Sequence, residues 1–162
     1  MVLTIVMVVG AVGFLGGTAL VATVEHHGPG RFVTIVEARV AGRQLVNTYH
    51  GLFRSGQAWS AGSEACTRQG VPTTTQTDCL EAVDATFASA VRAYDHKLST
   101  FDFPASVAAR VARAHRAAAN VADLLTRKAD SGPDAVDASQ LNSVLQELHA
   151  AYADLNNALI HI

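Results

Sequence analysis

Apolar residues recur every three or four positions in four separate stretches of this chain, and this spacing constrains its fold more than any other feature. Such spacing keeps the residues on one face of a helix. The first stretch, residues 31–59, carries Ile35, Ala38, Gly42, Leu45, Tyr49, Leu52, Gly56 and Trp59. Val46 and Phe53 are expected to widen the buried face of this first helix.

The second helix is expected to begin near Asp78, because Asp78 and Glu81 have the spacing of a capping box. Its apolar stripe continues to a predicted turn at residues 101–104. The third helix is alanine-rich and is expected over residues 104–128, with Pro104 in its first turn, where a missing N–H is tolerated.

The fourth helix is expected from about residue 134 to the end, with Asp137 and Gln140 as a second capping-box pair. Four such stripes predict an all-α protein. We expect an N-terminal transmembrane or signal helix, followed by an antiparallel four-helix bundle with one disulfide-closed loop. Aromatic residues make up only 6% of the chain, so closely packed aliphatic helices are favoured over a β-sandwich.

The two cysteines, Cys66 and Cys79, flank a polar stretch rich in threonine. In an exported protein they predict one disulfide, and in a cytosolic protein they would be two free thiols. We expect residues 60–77 to form a loop, which this disulfide closes and which is exposed for external contacts.

Residues 1–24 carry no charged side chain and are long enough to cross a bilayer as a helix. The alternative is a cleaved signal peptide, although its apolar stretch is longer than is usual for one. The sequence therefore predicts an anchor or signal segment at 1–24, a linker at 25–30 and a helical domain at 31–162.

The orientation of this segment is ambiguous, because Arg31, Arg39 and Arg43 follow it and basic flanks favour the cytoplasm. The predicted disulfide indicates the opposite side. Under the hypothesis that basic residues precede Met1, we expect a single-pass cell-membrane protein with its main domain extracytoplasmic. Secretion after cleavage is the alternative.

Gly13 and Gly17 form a small-xxx-small pair within the leader, which lets a second transmembrane helix approach closely. The alternative is that these glycines have no specific role, because glycine is common in transmembrane helices. We expect them to mark an intramembrane contact with a membrane-protein partner.

Arg110, Arg113 and Arg116 follow one side of the third helix. They are candidates for a face that binds an anionic partner. The alternative is pairing within the domain, because no lysine or arginine follows Lys128, whereas five acidic residues do.

The residues indicate no catalytic site, no metal site and no cofactor. The four histidines at 50, 96, 115 and 149 fall on different predicted helices, and no Cys-x-x-Cys or phosphate-binding loop is present. An all-helical enzyme holding a dianionic substrate would need a buried carboxylate, for which Glu37 and Glu147 are the only well-placed mid-helix glutamates. We therefore predict a protein that is not an enzyme.

The segment from Tyr94 to Pro104, YDHKLSTFDFP, is followed by a helix rich in Ala, Val and Arg. It resembles a loose pattern in small exported or membrane-anchored helical proteins of actinobacteria, over residues 80–128. The resemblance implies a helical extracytoplasmic domain and no activity.

These features favour a non-enzymatic, membrane-anchored domain that acts by protein–protein contact, as an accessory subunit of a membrane complex. The alternative is an exported bundle that binds haem or another apolar small molecule. The net charge of −2 provides no basic field for nucleic acid.

Overall fold

The computed structural model describes residues 17–68 and 72–162, with side chains from Ile35 onward apart from that of Pro133. The described chain folds into helices and contains no strand. Its α-helices are α1 (Gly17–Cys66), α2 (Thr73–Leu98), α3 (Ala108–Ser131) and α4 (Ala138–Ile160). Short 3-10 helices at Ala105–Val107 and Pro133–Ala135 precede α3 and α4.

Ala38–Ile162 forms one compact unit, and the chain up to Glu37 belongs to another. Residues 25–30, for which the sequence predicts a linker, are helical within α1. No helix in the described part of the chain is long and apolar enough to span a membrane. Gly13 and the rest of residues 1–16 lie outside the described residues.

Neighbouring helices of the Ala38–Ile162 unit run antiparallel. Partner residues rise along one helix as they fall along the next, which gives an up-down-up-down bundle with α4 beside α1. Two contacts establish this for each pair of helices. They are Cys66–Cys79 and Tyr49–Tyr94 between α1 and α2, and Asp84–Lys128 and Asp95–His115 between α2 and α3. Between α3 and α4 they are Arg110–Asp154 and Arg113–Glu147, and between α4 and α1 they are Tyr49–His149 and Gly42–Leu159. The predicted all-helical bundle of four helices is confirmed.

The core consists largely of leucine, valine and alanine. Leu45, Leu125 and Leu155 are fully buried, and alanines on α1 and α3 let the helices approach closely. Phe53 departs from the sequence prediction, because 57% of it is exposed. Leu52 takes the core position, and the next residue on a helix points roughly 100° away. The prediction that Phe53 widens the buried face is therefore wrong.

The predicted loop at residues 60–77 is also wrong, because only residues 67–72 connect α1 to α2. Hydroxyl groups in this polar stretch bond to the helix backbone: Ser63 Oγ donates to the Trp59 carbonyl at 2.9 Å and Thr77 Oγ1 to the Thr73 carbonyl at 3.2 Å. Pro72 is the N-cap of α2, so Asp78 and Glu81 lie inside the helix and form no capping box at its start.

The starts of α3 and α4 are later than predicted. Pro104 precedes the 3-10 turn, and α3 proper begins at Ala108. Asp137 is confirmed as the N-cap of α4, since its carboxylate accepts a hydrogen bond from the Ser139 N–H at 2.6 Å. Hydrogen bonding from the Ser139 side chain, and then from the Ser139 and Gln140 N–H groups, lowers the pKa of Asp137.

Candidate functional site: an uncharged groove between α1 and α4

A partly open groove of about 310 Å³ lies between α1, α2 and α4 within the bundle. Most of its wall comes from α1, while α2 and α4 complete the floor and the far side. We call it the Phe53 groove; its lining residues are Tyr49, Leu52, Phe53, Gly56, Gln57, Trp59, Ser60, Phe87, Leu145 and Leu148. Most of this lining is apolar.

The aromatic rings of the Phe53 groove are held at different depths. Phe87 is only 5% exposed and lies deepest, close beneath Gly56, where an added Cβ would be 3.5 Å from Phe87 Cζ. Trp59 stacks on Phe87 with ring centroids 5.3 Å apart. Phe53, which is more than half exposed, stands at the edge. The groove therefore presents one protruding ring beside an apolar hollow.

None of the residues that line the Phe53 groove is charged, although the exposed Arg54 directly follows Phe53. Residues 55–63 of α1 and residues 138–146 of α4 contain no Asp, Glu, Lys, Arg or His. Arg54 and Glu64 bound the first stretch, and Asp137 and Glu147 bound the second. The centres of protein–protein interfaces are likewise poor in charge and rich in aromatic residues.

The indole of Trp59 is held in place by the buried carboxylate of Asp84 on α2. Its Nε1 donates a hydrogen bond to Asp84 Oδ1 at 2.7 Å, and Lys128 Nζ lies 2.9 Å from Asp84 Oδ2. Asp84 is only 1% exposed, so these two partners offset the cost of removing its charge from water. The same ammonium lies 6.0 Å from the centre of the Trp59 ring. Three helices thus fix the orientation of the indole in the groove wall.

A tyrosine cluster adjoins the other end of the groove. Tyr49 stacks on Tyr152 with centroids 3.6 Å apart, meets Tyr94 edge-on at 6.0 Å, and its hydroxyl lies 2.8 Å from His149 Nδ1. Burial raises the pKa of Tyr49, Tyr94 and Tyr152. The buried Tyr94 hydroxyl has no hydrogen-bond partner among the described residues.

The predicted cysteine pair forms a disulfide. Cys66 and Cys79 are bonded, with their Cα atoms 5.6 Å apart, and Cys66 is buried. The bond joins Cys66, the last residue of α1, to Cys79 in the second turn of α2.

The predicted arginine face is largely paired within the bundle. Arg113 contacts Glu147 at 2.8 Å and Asp154 at 3.4 Å, and Arg110 contacts Asp154 at 3.2 Å. The hydrogen bond from Arg113 lowers the pKa of Glu147. Arg116 is exposed. Two of the three candidate charges therefore connect α3 to α4, and their binding of an anionic partner stays a prediction.

The histidines do not converge. His115 Nδ1 lies 2.6 Å from Asp95 Oδ1, His149 contacts Tyr49, and His50 and His96 are exposed. Within the described residues, no three His, Cys, Asp or Glu side chains are placed to hold a metal ion.

The two glutamates considered for catalysis are both exposed: Glu37 lies at the surface and Glu147 pairs with Arg113 there. No feature of the described residues indicates an enzyme. Comparisons of this chain with models of protein families, with curated proteins and with solved structures find no match. A functional proposal for this helical bundle therefore depends on the geometry of its own surface.

Proposed function

We propose that this chain is a membrane-anchored protein whose extracytoplasmic helical domain acts by protein–protein contact through the Phe53 groove. The observation that carries the proposal is the exposed Phe53 ring beside an apolar hollow with uncharged walls. Aromatic side chains that enter well-packed, desolvated pockets dominate the energetics of many interfaces. The buried support behind Trp59 favours a preformed surface, which lowers the entropic cost of binding.

The uncharged leader and the disulfide support the proposed location. Residues 1–24 have the length and composition of a membrane-spanning helix. Disulfides persist in oxidising compartments, so the Cys66–Cys79 bond favours an extracytoplasmic domain. Secretion after cleavage of the leader is the alternative location.

Gly13 and Gly17 supply the proposed contact inside the membrane, where this chain would act as an accessory subunit of a membrane complex. Tagged full-length protein is purified from native membranes beside a Gly13→Leu/Gly17→Leu variant. We expect a membrane-protein partner to accompany the native chain and to be depleted with the variant. Equal recovery of the partner with both chains would exclude this glycine pair as the contact.

Photocrosslinking tests the contact at the groove. A photoreactive phenylalanine analogue is placed at position 53 of the full-length chain, and at position 40 as the control. Val40 is 49% exposed on the same helix but does not line the groove. We expect adducts of discrete protein mass from position 53 and none from position 40 in native membranes. Absence of protein adducts at position 53 would contradict the proposed function.

The second candidate function is binding of an apolar small molecule, which the groove volume of about 310 Å³ favours, since ligand pockets begin near this size. Trp59 is the only tryptophan in the chain, so its fluorescence reports directly on the groove. Titration with haem and with an alkyl-chain probe is the test. A saturable change at micromolar concentration, lost in Gly56→Leu and retained in Val40→Leu, would favour this candidate.

A further inference from the structure

We infer that the protein partner proposed above presents an acidic segment to a basic face of α1, an inference that rests on the proposed protein–protein contact. This face, which we call the Arg43–Arg54 face, consists of Arg43, Asn47, His50 and Arg54, all of which are exposed. Their separations of four, three and four residues place them on one side of the helix. Arg54 directly follows Phe53, so the face adjoins the edge of the Phe53 groove.

No acidic residue of α1 balances the charge of this face. The chain contains no Asp or Glu between Glu37 and Glu64. Over the same range it contains three arginines, Arg39, Arg43 and Arg54. Neither Arg43 nor Arg54 has an ion-pair partner among the described side chains. Their guanidinium groups are therefore free to bind carboxylates of another protein.

The arginines of α3 differ in this respect. Arg110 and Arg113 are paired with acidic side chains of α4 at 2.8 to 3.4 Å, so much of their charge is neutralised within the bundle. The guanidinium group forms paired hydrogen bonds with carboxylates, and complementary charge across an interface fixes the register of the partner. An acidic segment is therefore the chemistry that complements the unpaired face on α1.

The apolar surroundings of the face favour a protein segment over a lipid bilayer. A helix that lies on a bilayer inserts a broad apolar face beside its basic one. The apolar face of this part of α1 is buried in the bundle core, where Leu45 and Leu52 are 0% and 6% exposed. Phe53 is the large apolar side chain that is exposed between Arg43 and Arg54. One exposed ring beside a groove matches a single apolar side chain of a protein partner.

The spacing of the charges defines the segment that fits. Arg43 and Arg54 are eleven residues apart, which is about 16 Å along a helix. Carboxylates separated by about this distance, with an apolar side chain near one of them, would engage both arginines and the Phe53 groove together. Arg39 lies one turn beyond Arg43 and farther from the groove, so it is not assigned to this contact.

Photocrosslinking from the centre of the face tests the kind of partner. A photoreactive phenylalanine analogue replaces Asn47 of the full-length chain in native membranes, and Asn120, an exposed asparagine of α3, is the matched control position. We expect protein adducts from position 47 and none from position 120. The crosslinked peptide, sequenced by mass spectrometry, should contain more acidic than basic residues. Phospholipid adducts, a crosslinked peptide without this excess, or no adduct at position 47 would overturn the inference.

Charge reversal tests whether the two arginines supply the affinity. Arg43→Glu/Arg54→Glu is compared with Arg116→Glu/Arg127→Glu, which makes the same change at two exposed arginines of α3 that form no ion pair within the described part of the chain. Fluorescence anisotropy of a labelled oligoglutamate peptide measures binding to the full-length chain in non-ionic micelles at physiological salt, which screens distant charges. Circular dichroism verifies that both variants remain helical.

We expect the α1 variant to raise the Kd for oligoglutamate about tenfold or more, because each arginine is replaced by a charge that repels the peptide. The α3 variant should change the Kd by less than about threefold. A native chain that does not bind the peptide, or equal effects of the two variants, would overturn the inference.

The two proposals fail differently. Protein adducts from position 53 that persist at the same yield in Arg43→Glu/Arg54→Glu would overturn the acidic-segment inference and leave the contact function standing. Absence of protein adducts at position 53 of the otherwise native chain would overturn the contact function, and the inference with it.

Discussion

Tyr94 carries a buried hydroxyl without a partner among the described residues, and this arrangement couples its ionisation to folding. Burial, and then the neighbouring Tyr49, raises the pKa of Tyr94 above its ordinary value of 10.0. Above pH 10 the unfolded chain releases this proton before the folded chain does, so the stability of the fold decreases as the pH rises. Below pH 10 Tyr94 is neutral in the folded and the unfolded chain, so its ionisation does not reduce the stability of the fold.

Tyr94→Phe should therefore reduce the loss of stability between pH 7 and pH 11 while leaving stability at pH 7 unchanged or slightly higher. Removing a buried hydroxyl that lacks a partner removes only its desolvation cost. Urea unfolding at both pH values measures the effect, with Tyr152→Phe as a control at a less buried tyrosine. A decrease of more than about 1 kcal/mol at pH 7 would indicate that the hydroxyl makes a favourable bond.

Asp84 and Lys128 should behave as a coupled pair. Asp84→Leu leaves the ammonium and the Trp59 N–H without their acceptor, and Lys128→Met leaves a carboxylate that is 1% exposed with one donor. We expect each single change to lower the free energy of unfolding by about 3 kcal/mol, since breaking a buried pair strands a charge. The double variant should lose clearly less than the sum of the two changes. Strict additivity in a double-mutant cycle would show that the two side chains act independently.

Individual residues were predicted correctly where the argument did not require knowing which helices are neighbours. The pairing of Cys66 with Cys79 was predicted correctly, on the expectation that the chain is exported to a compartment where disulfides persist. Asp84 was missed, although its position between Leu80 and Phe87 on the α2 stripe signals an acid on the core face. Its partner Lys128 lies on another helix, and the sequence alone does not reveal a contact of that kind.

The glycines of α1 provide a comparison at the scale of one helix. A Cβ at Gly51 would meet nothing within 4 Å, whereas a Cβ at Gly62 would lie 3.1 Å from Val83 Cγ2. Alanine is more favourable than glycine inside a helix by about 1 kcal/mol. Gly51→Ala should therefore raise the free energy of unfolding by roughly that amount. Gly62→Ala should raise the free energy of unfolding by less than this, or lower it, because Val83 must move to make room for the added Cβ. Equal effects in urea unfolding would show that the contact with Val83 has no energetic consequence.

Helix boundaries were the least predictable elements, for a physical reason. Residues 60–77 are rich in serine, threonine and glycine, which disfavour helices when considered singly. In the bundle, hydroxyl groups such as that of Ser63 bond to backbone carbonyls one turn earlier, and packing of α1 against α2 stabilises the remainder. Tertiary contact therefore extends both helices beyond what their own propensities indicate.

The four-helix architecture followed from the apolar periodicity because each stripe can be buried only against the others. The Phe53 groove did not follow from it, since a groove exists only where residues from three helices fail to fill the space between them. Gly56 and Phe87, for example, both line the groove but are far apart in sequence. The periodicity predicted the bundle. It did not predict that a single residue such as Phe53 is exposed at the edge of the groove.

Removing the Cys66–Cys79 disulfide shows how much this bond contributes to the free energy of unfolding of the whole bundle. It closes a sequence separation of 13 residues between α1 and α2, and such a loop restricts the unfolded chain by about 3 kcal/mol. We expect Cys66→Ser/Cys79→Ser to lower the free energy of unfolding by about that amount and to keep the four helices. Urea unfolding monitored by circular dichroism measures it, with reduced native chain as the matched control. Agreement between the variant and the reduced chain would assign the loss to the bond itself. A loss below about 1 kcal/mol would show that the short connection at residues 67–72 already restricts the unfolded ends.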